Sequence, residues 1–206
     1  MTSSKTLLIS QLTRLVIFSI FIFSTVSCIT PLPMPAGVQE ISASDYENLV
    51  SKKTKKIEIY DGLYNKLTVT ATWLDSEMSE GYLSHSTRLA QWQESKYREE
   101  KNKYVMKHTE NTEFFVSFYT PERKHSDLSQ SKNLWKIYLD VNGQRFEGKA
   151  TKVKLMLSEL QTYYPHHNRW SVPYVVSFPV ATAITEKKPA VLTFTGALSS
   201  AQLKFE

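Results

Sequence analysis

The chain has 206 residues, with 25 Lys and Arg against 20 Asp and Glu, so its formal net charge is only +5. A charge this mild does not indicate a nucleic-acid-binding protein. The single cysteine excludes a framework of intramolecular disulfides and a metal site built from several cysteines. We therefore expect a domain held together by its hydrophobic core, and a chain of this length can bury a sizeable one.

The N-terminus has the order of a secretory signal. Lys5 and Arg14 precede the apolar residues 15–23, and small residues follow these before Cys28. A basic region, an apolar region and a small-residue cleavage site in this order are typical of export signals. The apolar run is shorter than the roughly 20 residues that a membrane-spanning helix needs. Loss of residues 1–27, which contain two of the 25 basic residues and no acidic one, would leave 23 basic against 20 acidic residues.

The segment around Cys28 resembles the lipobox of bacterial lipoproteins. Val26 and Ser27 stand directly before the cysteine as in that pattern, whereas Thr25 stands where the family usually has Leu or another large apolar residue. The resemblance implies cleavage before Cys28 and acylation of its sulfur and new amino group, which would make the membrane a partner through acylated Cys28. Ile29, in place of Asp, implies by the same resemblance an outer-membrane anchor facing the periplasm or the cell surface. An uncleaved membrane anchor and an ordinary cleaved signal are the alternatives.

Residues 28–55 are predicted to form the lipidated N-terminus and a tether. Prolines alternate with other residues at 31–35, which removes backbone donors and favours a stiff, extended segment. Residues 42–49 are predicted to form a short helix, with Ser44 as N-cap and Glu47 completing a capping box.

A lysine-rich run at residues 52–56 leads out of this tether. We interpret it as a solvated linker before the first strand, because charge runs usually face water. The alternative is a clamp on lipid phosphates or sugar acids, since each basic residue near an anionic membrane gains about 1 kcal/mol.

Residues 56–206 are predicted to form one mainly β domain. Strand-like alternation of apolar and polar residues recurs along this region. The predicted strands are 57–60, 67–73, 114–119, 135–141, 153–157, 174–178, 191–195 and 202–205. Asn142-Gly143 follows one of them as the preferred two-residue hairpin turn. We predict a two-layer β-sandwich of immunoglobulin-like character, with its topology open because the Cys and Trp hallmarks of that fold are absent.

Residues 77–105 interrupt the β pattern. They contain no proline, one glycine and many Glu, Lys, Gln and Arg residues. Leu89 and Trp92 suit the apolar stripe of an amphipathic helix with charged neighbours three and four residues apart. One long α-helix is therefore predicted here, inserted between the second and third strands and laid against a sheet or one end of the sandwich.

Catalytic and cofactor-binding motifs are absent from the sequence. It contains no Gly-rich phosphate loop, no Walker pattern and no Gly-x-Ser-x-Gly elbow. His166 and His167 are the one close pair of histidines, and neighbouring residues on a strand point to opposite faces. We therefore expect neither a cofactor nor a metal, and we expect a protein that is not an enzyme.

The segment from Tyr163 to Trp170 is the candidate contact surface. It is predicted to be a loop between two strands, and it is rich in the residue types that dominate protein interfaces. The candidate partner-binding residues are Tyr164, His166, His167, Arg169 and Trp170. The alternative is that Tyr163 and Trp170 pack into the core and the rest is an exposed turn.

Three functions are compatible with these features. The favoured one is an outer-membrane-anchored, monomeric lipoprotein whose non-catalytic β-sandwich binds or scaffolds an envelope protein or glycan. An envelope enzyme acting on glycan would need a deep polar cleft with converging carboxylates. A small-ligand-binding lipoprotein would need an apolar pocket under the helix at 77–105.

Overall fold

The computed structural model describes residues 33–130 and 133–206. The strands are β1 Thr54–Asp61, β2 Tyr64–Trp73, β3 Thr112–Tyr119, β4 Trp135–Val141, β5 Gln144–Glu147, β6 Lys149–Lys152, β7 Val172–Phe178, β8 Ala190–Gly196 and β9 Ser200–Phe205. The helices are α1 Ala43–Lys53, α2 Ser76–Ala90, α3 Glu94–Glu110, α4 Leu157–Tyr163 and α5 Thr182–Thr185, and a 3-10 turn spans Arg123–His125.

The strands form two antiparallel sheets that pack against each other. The first sheet has the order β1-β2-β3-β7-β6 and the second has the order β5-β4-β8-β9. Phe114, Val116 and Phe118 alternate along β3 and belong to the core cluster that also contains Leu139 and Phe194 of the second sheet. The predicted mainly β, two-layer sandwich is confirmed, and its immunoglobulin-like character stays a prediction.

The hairpin of β4 and β5 follows its predicted turn. Asn142 and Gly143 have φ values of 51° and 75°, the left-handed backbone that this turn requires. Val141 pairs with Gln144 directly across the turn. The apolar face of β4 is buried in the core, as its alternation predicted.

A layer of helices covers part of the outer face of the first sheet. Phe115 of β3 points away from the sandwich core into a second apolar cluster. The helical members of this cluster include Tyr46 of α1, Met78 of α2 and Leu160 of α4, and Tyr164 directly follows α4. Thus β3 is buried on both faces, and its outward face mixes Phe115 with the buried polar residues Glu113 and Ser117, which period-2 alternation alone does not predict.

The single helix predicted at 77–105 is two helices, α2 and α3. Gln91 ends α2 in the left-handed conformation at φ 48°, and the Trp92 amide donates to the Thr87 carbonyl. This is the hydrogen-bonding pattern of a helix C-cap, formed here without the usual glycine. Among the described helices, none combines the length and apolarity needed to cross a membrane.

Residues 43–53, within the segment predicted as the tether, form α1, where a shorter helix was predicted at 42–49. Ser42, rather than Ser44, is the N-cap, and its hydroxyl accepts from the Asp45 amide. The lysine run is not a solvated linker throughout, since Lys53 is 16% exposed and lies 2.5 Å from the Asp75 carboxylate. Hydrogen bonds with Asp75 and Glu77 raise the pKa of Lys53 despite the opposing effect of burial. The ion pairs of Lys53 therefore connect the end of α1 to the start of α2.

The strand predicted at 153–157 is also wrong. β6 ends at Lys152, and α4 begins at Leu157. Leu155 and Met156 are 43% and 72% exposed, so this apolar run lacks the packed surface that a strand would need. The loop predicted to join two strands consequently follows a helix.

Candidate functional site

The loop after α4 carries the predicted contact residues, and two of them point inward. Tyr164 is 8% exposed, and its ring lies parallel to that of Phe115 with centroids 3.6 Å apart. His167 is 3% exposed, with Nδ1 2.8 Å from Ser117 Oγ. Both side chains hold the loop on the outer face of β3, and their role as contact residues stays a prediction.

The other three predicted residues lie farther out. Arg169 is exposed, and Trp170 is 68% exposed, so the alternative in which Trp170 packs into the core is wrong. The Asn168 carboxamide oxygen accepts from the amides of Trp170 and Ser171 at 3.0 and 3.2 Å. This turn fixes the backbone beneath the exposed indole. His166 is half-buried, and its exposure is intermediate between that of Tyr164 and His167 and that of Arg169 and Trp170.

A groove, here called the sheet groove, lies between this loop and α1 on the outer face of β1 and β2. It consists of two adjoining cavities of about 540 and 470 Å³, which share Lys56, Thr70 and His166 in their linings. Trp170 lines the larger cavity, and residues of α1 line the smaller one. The outer face of β1 and β2 is therefore accessible where the helical layer ends.

Strand register orders the floor of the sheet groove in two rows. Glu58 and Tyr119 pair with Thr68 from either side, and Lys56 pairs with Thr70 in the next row. Rows two residues apart along a strand are about 7 Å apart, and neighbouring strands are about 4.8 Å apart. The floor is thus a regular array of hydroxyl and charged groups.

Two unpartnered buried polar atoms line the larger cavity. They are Asn65 Oδ1 and His166 Nε2, and within the described ranges only five other buried side-chain atoms lack a hydrogen-bond partner. Asn65 is held by a hydrogen bond from its Nδ2 to Thr68 Oγ1 at 2.9 Å. Both atoms are buried, so they lie behind the surface of the cavity, and a ligand reaches them only when a neighbouring side chain shifts.

The sheet groove is lined by one basic and two acidic side chains, Lys56, Glu58 and Glu47. Lys56 Nζ lies 2.6 Å from Glu58 Oε1, and this hydrogen bond and charge lower the pKa of Glu58. Burial, with a smaller contribution from His167, lowers the pKa of His166 to about 4, so His166 is neutral at pH 7. These residues suit hydrogen bonding and stacking, and none has a raised carboxyl pKa of the kind that marks a general acid.

The Ser117–His167 pair has the spacing of a nucleophile and its base. Ser117 is 2% exposed, however, and lies beneath the loop, so a substrate cannot reach its hydroxyl. The pair is a structural hydrogen bond. Within residues 33–130 and 133–206, no group of three or more His, Cys, Asp or Glu side chains is placed to hold a metal ion.

A second cavity of about 440 Å³, here called the helix groove, lies between α2, α3 and α5. Its lining includes Leu83, Val105 and Ala183. It also contains a hydrogen-bonded pair, Ser79 Oγ and His108 Nε2, at 3.0 Å. Burial lowers the pKa of His108, which favours the neutral imidazole.

Most residues of the sheet groove's floor were not predicted from the sequence. The pattern that could have indicated them is the series Thr68, Thr70 and Thr72, which alternates with the buried apolar residues of β2. Cys28, the predicted lipidation site, lies outside the described residues.

Comparison with known proteins identifies no relative. No protein-family model matches the chain, no curated protein matches it, and no solved structure matches it. What the chain does is therefore inferred from its own residues and their geometry.

Proposed function

We propose that this chain is an exported lipoprotein, acylated at Cys28, whose non-catalytic β domain binds a component of the cell envelope through the sheet groove. The anchor rests on the lipobox-like order of the N-terminus. Ile29 favours the outer membrane by the same resemblance. The binding role rests on the described domain.

The sheet groove is the observation that carries the binding role. It combines a largely exposed indole, Trp170, with a hydroxyl-bearing floor and with two lining residues, Asn65 and His166, that each have an unpartnered buried polar atom. Exposed aromatic residues beside polar groups are typical of binding surfaces. The loop can carry such contacts because Tyr164 and His167 hold it to the sheet independently of its outer residues.

A binding role is favoured over catalysis by the state of the groove's acidic groups. Glu58, in the larger cavity, is neutralised by Lys56. Glu47 lines the smaller cavity, on the α1 side. A glycan-cleaving site needs two carboxyl groups with separate acid and base roles on opposite sides of one bond. Glu58 and Glu47 line different cavities, and Glu58 is already ion-paired with Lys56, so these two carboxyl groups do not face one bond as a free acid and base.

Co-purification from native membranes tests the binding role. We expect the wild type to retain envelope components that a His166→Ala, Trp170→Ala double variant loses. Met106→Ala is the matched control, since Met106 is 70% exposed on α3 and does not line the sheet groove. Retention of every component by the double variant, with an unchanged melting temperature, would refute the groove as the binding site.

Metabolic labelling with a palmitate analogue tests the anchor. We expect Cys28→Ser to accumulate as the uncut precursor without label, because the acylated atom is the cysteine sulfur. Ser27→Ala is the control, since it keeps a small residue before the cut. Equal labelling of the wild type and Cys28→Ser would contradict the lipoprotein assignment, and wild-type protein found only in the inner membrane would contradict the outer-membrane location.

The helix groove supports a second candidate function, the binding of a small apolar molecule with one hydrogen-bonding group. Its lining is largely apolar, and Ser79 with His108 supplies the polar position. Enhanced fluorescence of an anilinonaphthalene sulfonate probe, abolished by Val105→Glu, would support this function. Enhancement that survives Val105→Glu would place the probe elsewhere.

A further inference from the structure

The chemistry of the sheet groove also identifies a class of ligand, and this step rests on the proposed function. We infer that the groove binds an uncharged glycan chain, with a sugar ring on the indole of Trp170 and hydroxyls bonded to the polar floor. Three properties of the groove, its aromatic wall, its hydrogen-bonding floor and its charge balance, lead to this class.

The aromatic wall provides a flat apolar surface for a sugar ring. Trp170 is 68% exposed above the turn that Asn168 fixes, and Tyr119 lines the same cavity from β3. Tyr60 is 53% exposed, and its hydroxyl lies 3.5 Å from Glu58, so aromatic surface continues beyond this row. The C–H face of a pyranose packs on an aromatic ring and loses little hydration there, since that face is apolar.

The floor offers both hydrogen-bond donors and acceptors at close intervals. Thr68 and Thr70 carry hydroxyls that donate and accept. Asn65 and His166 line the same cavity, and each has one unpartnered polar atom buried just behind its surface. Sugar hydroxyls also donate and accept, so a glycan can satisfy such a mixed set.

The charge balance favours an uncharged glycan over an acidic one. Lys56 lines both cavities, but its charge is held by Glu58 at 2.6 Å. Arg169 lines neither cavity. Recognition of a polyanion typically uses uncompensated basic groups, often in bidentate pairs. The sheet groove presents one basic side chain, which is paired with Glu58, and a second acidic side chain, Glu47, in the smaller cavity.

The backbone beneath the groove argues against an extended peptide. Peptides that add to a sheet bond to the unpaired edge of a strand. β2, which supplies Thr68 and Thr70, is paired on both sides, with β1 and with β3, while β1 is the edge strand of this sheet and lies close to β9 of the second sheet. Recognition on this surface therefore depends on side chains, as binding of a hydroxyl-rich ligand does.

An oligosaccharide array tests this inference on the purified mature full-length chain. The protein is kept in a polyoxyethylene detergent, because maltoside and glucoside detergents carry sugars. The array holds neutral hexose and N-acetylhexosamine oligomers beside uronic-acid and sulfated oligomers, and a parallel array holds peptides. We expect binding to neutral oligomers. The affinity should be the same at about 0.1 M and about 0.5 M salt, because binding neutralises no net charge.

Groove variants locate the binding. Trp170→Ala should weaken binding of the tightest-bound neutral oligomer by about tenfold or more, and tenfold corresponds to about 1.4 kcal/mol. Trp170→Phe should retain most of the affinity. Met106→Ala should bind like the wild type. Binding only to acidic oligomers with steep salt dependence, binding only to peptides, or no binding to neutral oligomers would each overturn the inference. If membrane components are nevertheless lost by the groove variant, the proposed binding role stands and only the glycan assignment fails.

Discussion

The outer face of the first sheet has two halves with opposite character. Over β3, Phe115 and Ser117 are covered by the helical layer and by the loop after α4. Over β1 and β2, Thr68 and Lys56 line an open groove. The covered half holds Tyr164 and His167, and these residues position the wall of the open half. The covered half therefore carries packing contacts and the open half presents polar side chains to solvent, so substitutions in the two halves should have different effects.

The largest expected effect is from Phe115→Ala in the covered half. Phe115 is 1% exposed and stacks on Tyr164, so its loss should lower the free energy of unfolding by about 3–5 kcal/mol. Trp170→Ala in the open half should change it by less than about 0.5 kcal/mol. Urea unfolding monitored by far-UV circular dichroism measures both. Similar losses in the two variants would remove the distinction between the halves.

The next effect concerns the attachment of the helical layer. Asp75 caps α2 by accepting from the Met78 amide at 2.9 Å, and it also pairs with Lys53 of α1. Asp75→Ala removes both interactions and should cost about 2–3 kcal/mol, whereas Asp75→Asn keeps the cap and should cost about 1 kcal/mol less. Chemical denaturation separates the two variants. Equal losses would show that the cap contributes nothing at this position.

His167→Ala should cost about 1–3 kcal/mol, because it leaves the buried Ser117 hydroxyl without its partner. Ser117→Ala combined with His167→Ala should cost less than the sum of the single changes, since the two residues share one hydrogen bond. A thermodynamic double-mutant cycle measures this coupling. Strict additivity would mean that the loop is held by Tyr164 and not by the histidine.

The last effect is a pH dependence at the boundary between the halves. The pKa of His166 is about 4 in the folded chain, against about 6.5 in an unfolded chain. The unfolded state therefore binds more protons in this window, and stability should fall as the pH falls from about 6.5 towards 4. The melting temperature of the His166→Ala variant should fall less than that of the wild type as the pH is lowered over this range. Trp170→Ala, which removes no titrating group, should follow the wild type.

Strands and turns were the most predictable part of the fold. Alternation along β2 and β4 and the Asn142-Gly143 turn were sufficient, because a strand with one buried face shows its burial in its own sequence. The break at Gln91 was not predictable in this way. Gln91 adopts φ 48° without the glycine that usually signals a helix end. The charged residues on both sides suit one continuous helix as well as two.

The candidate site was predictable as a segment, while the direction of each side chain was not. The aromatic, histidine and arginine residues near Tyr164 marked a surface of interest from composition alone. The sequence did not show that Tyr164 and His167 face inward while Trp170 faces outward. That division depends on Phe115 and Ser117, which are about fifty residues earlier in the chain.

The sequence by itself determined the alternating strands, the hairpin turn and the lipobox-like N-terminus, because these depend on residues close together in the chain. The tertiary structure decided that Lys53 is an ion-pair partner, that β3 is covered on both faces and that Thr68, Asn65 and His166 line one groove. Such properties come from long-range packing. Whether a given lysine, phenylalanine or threonine is exposed or buried depends on which distant element lies over it.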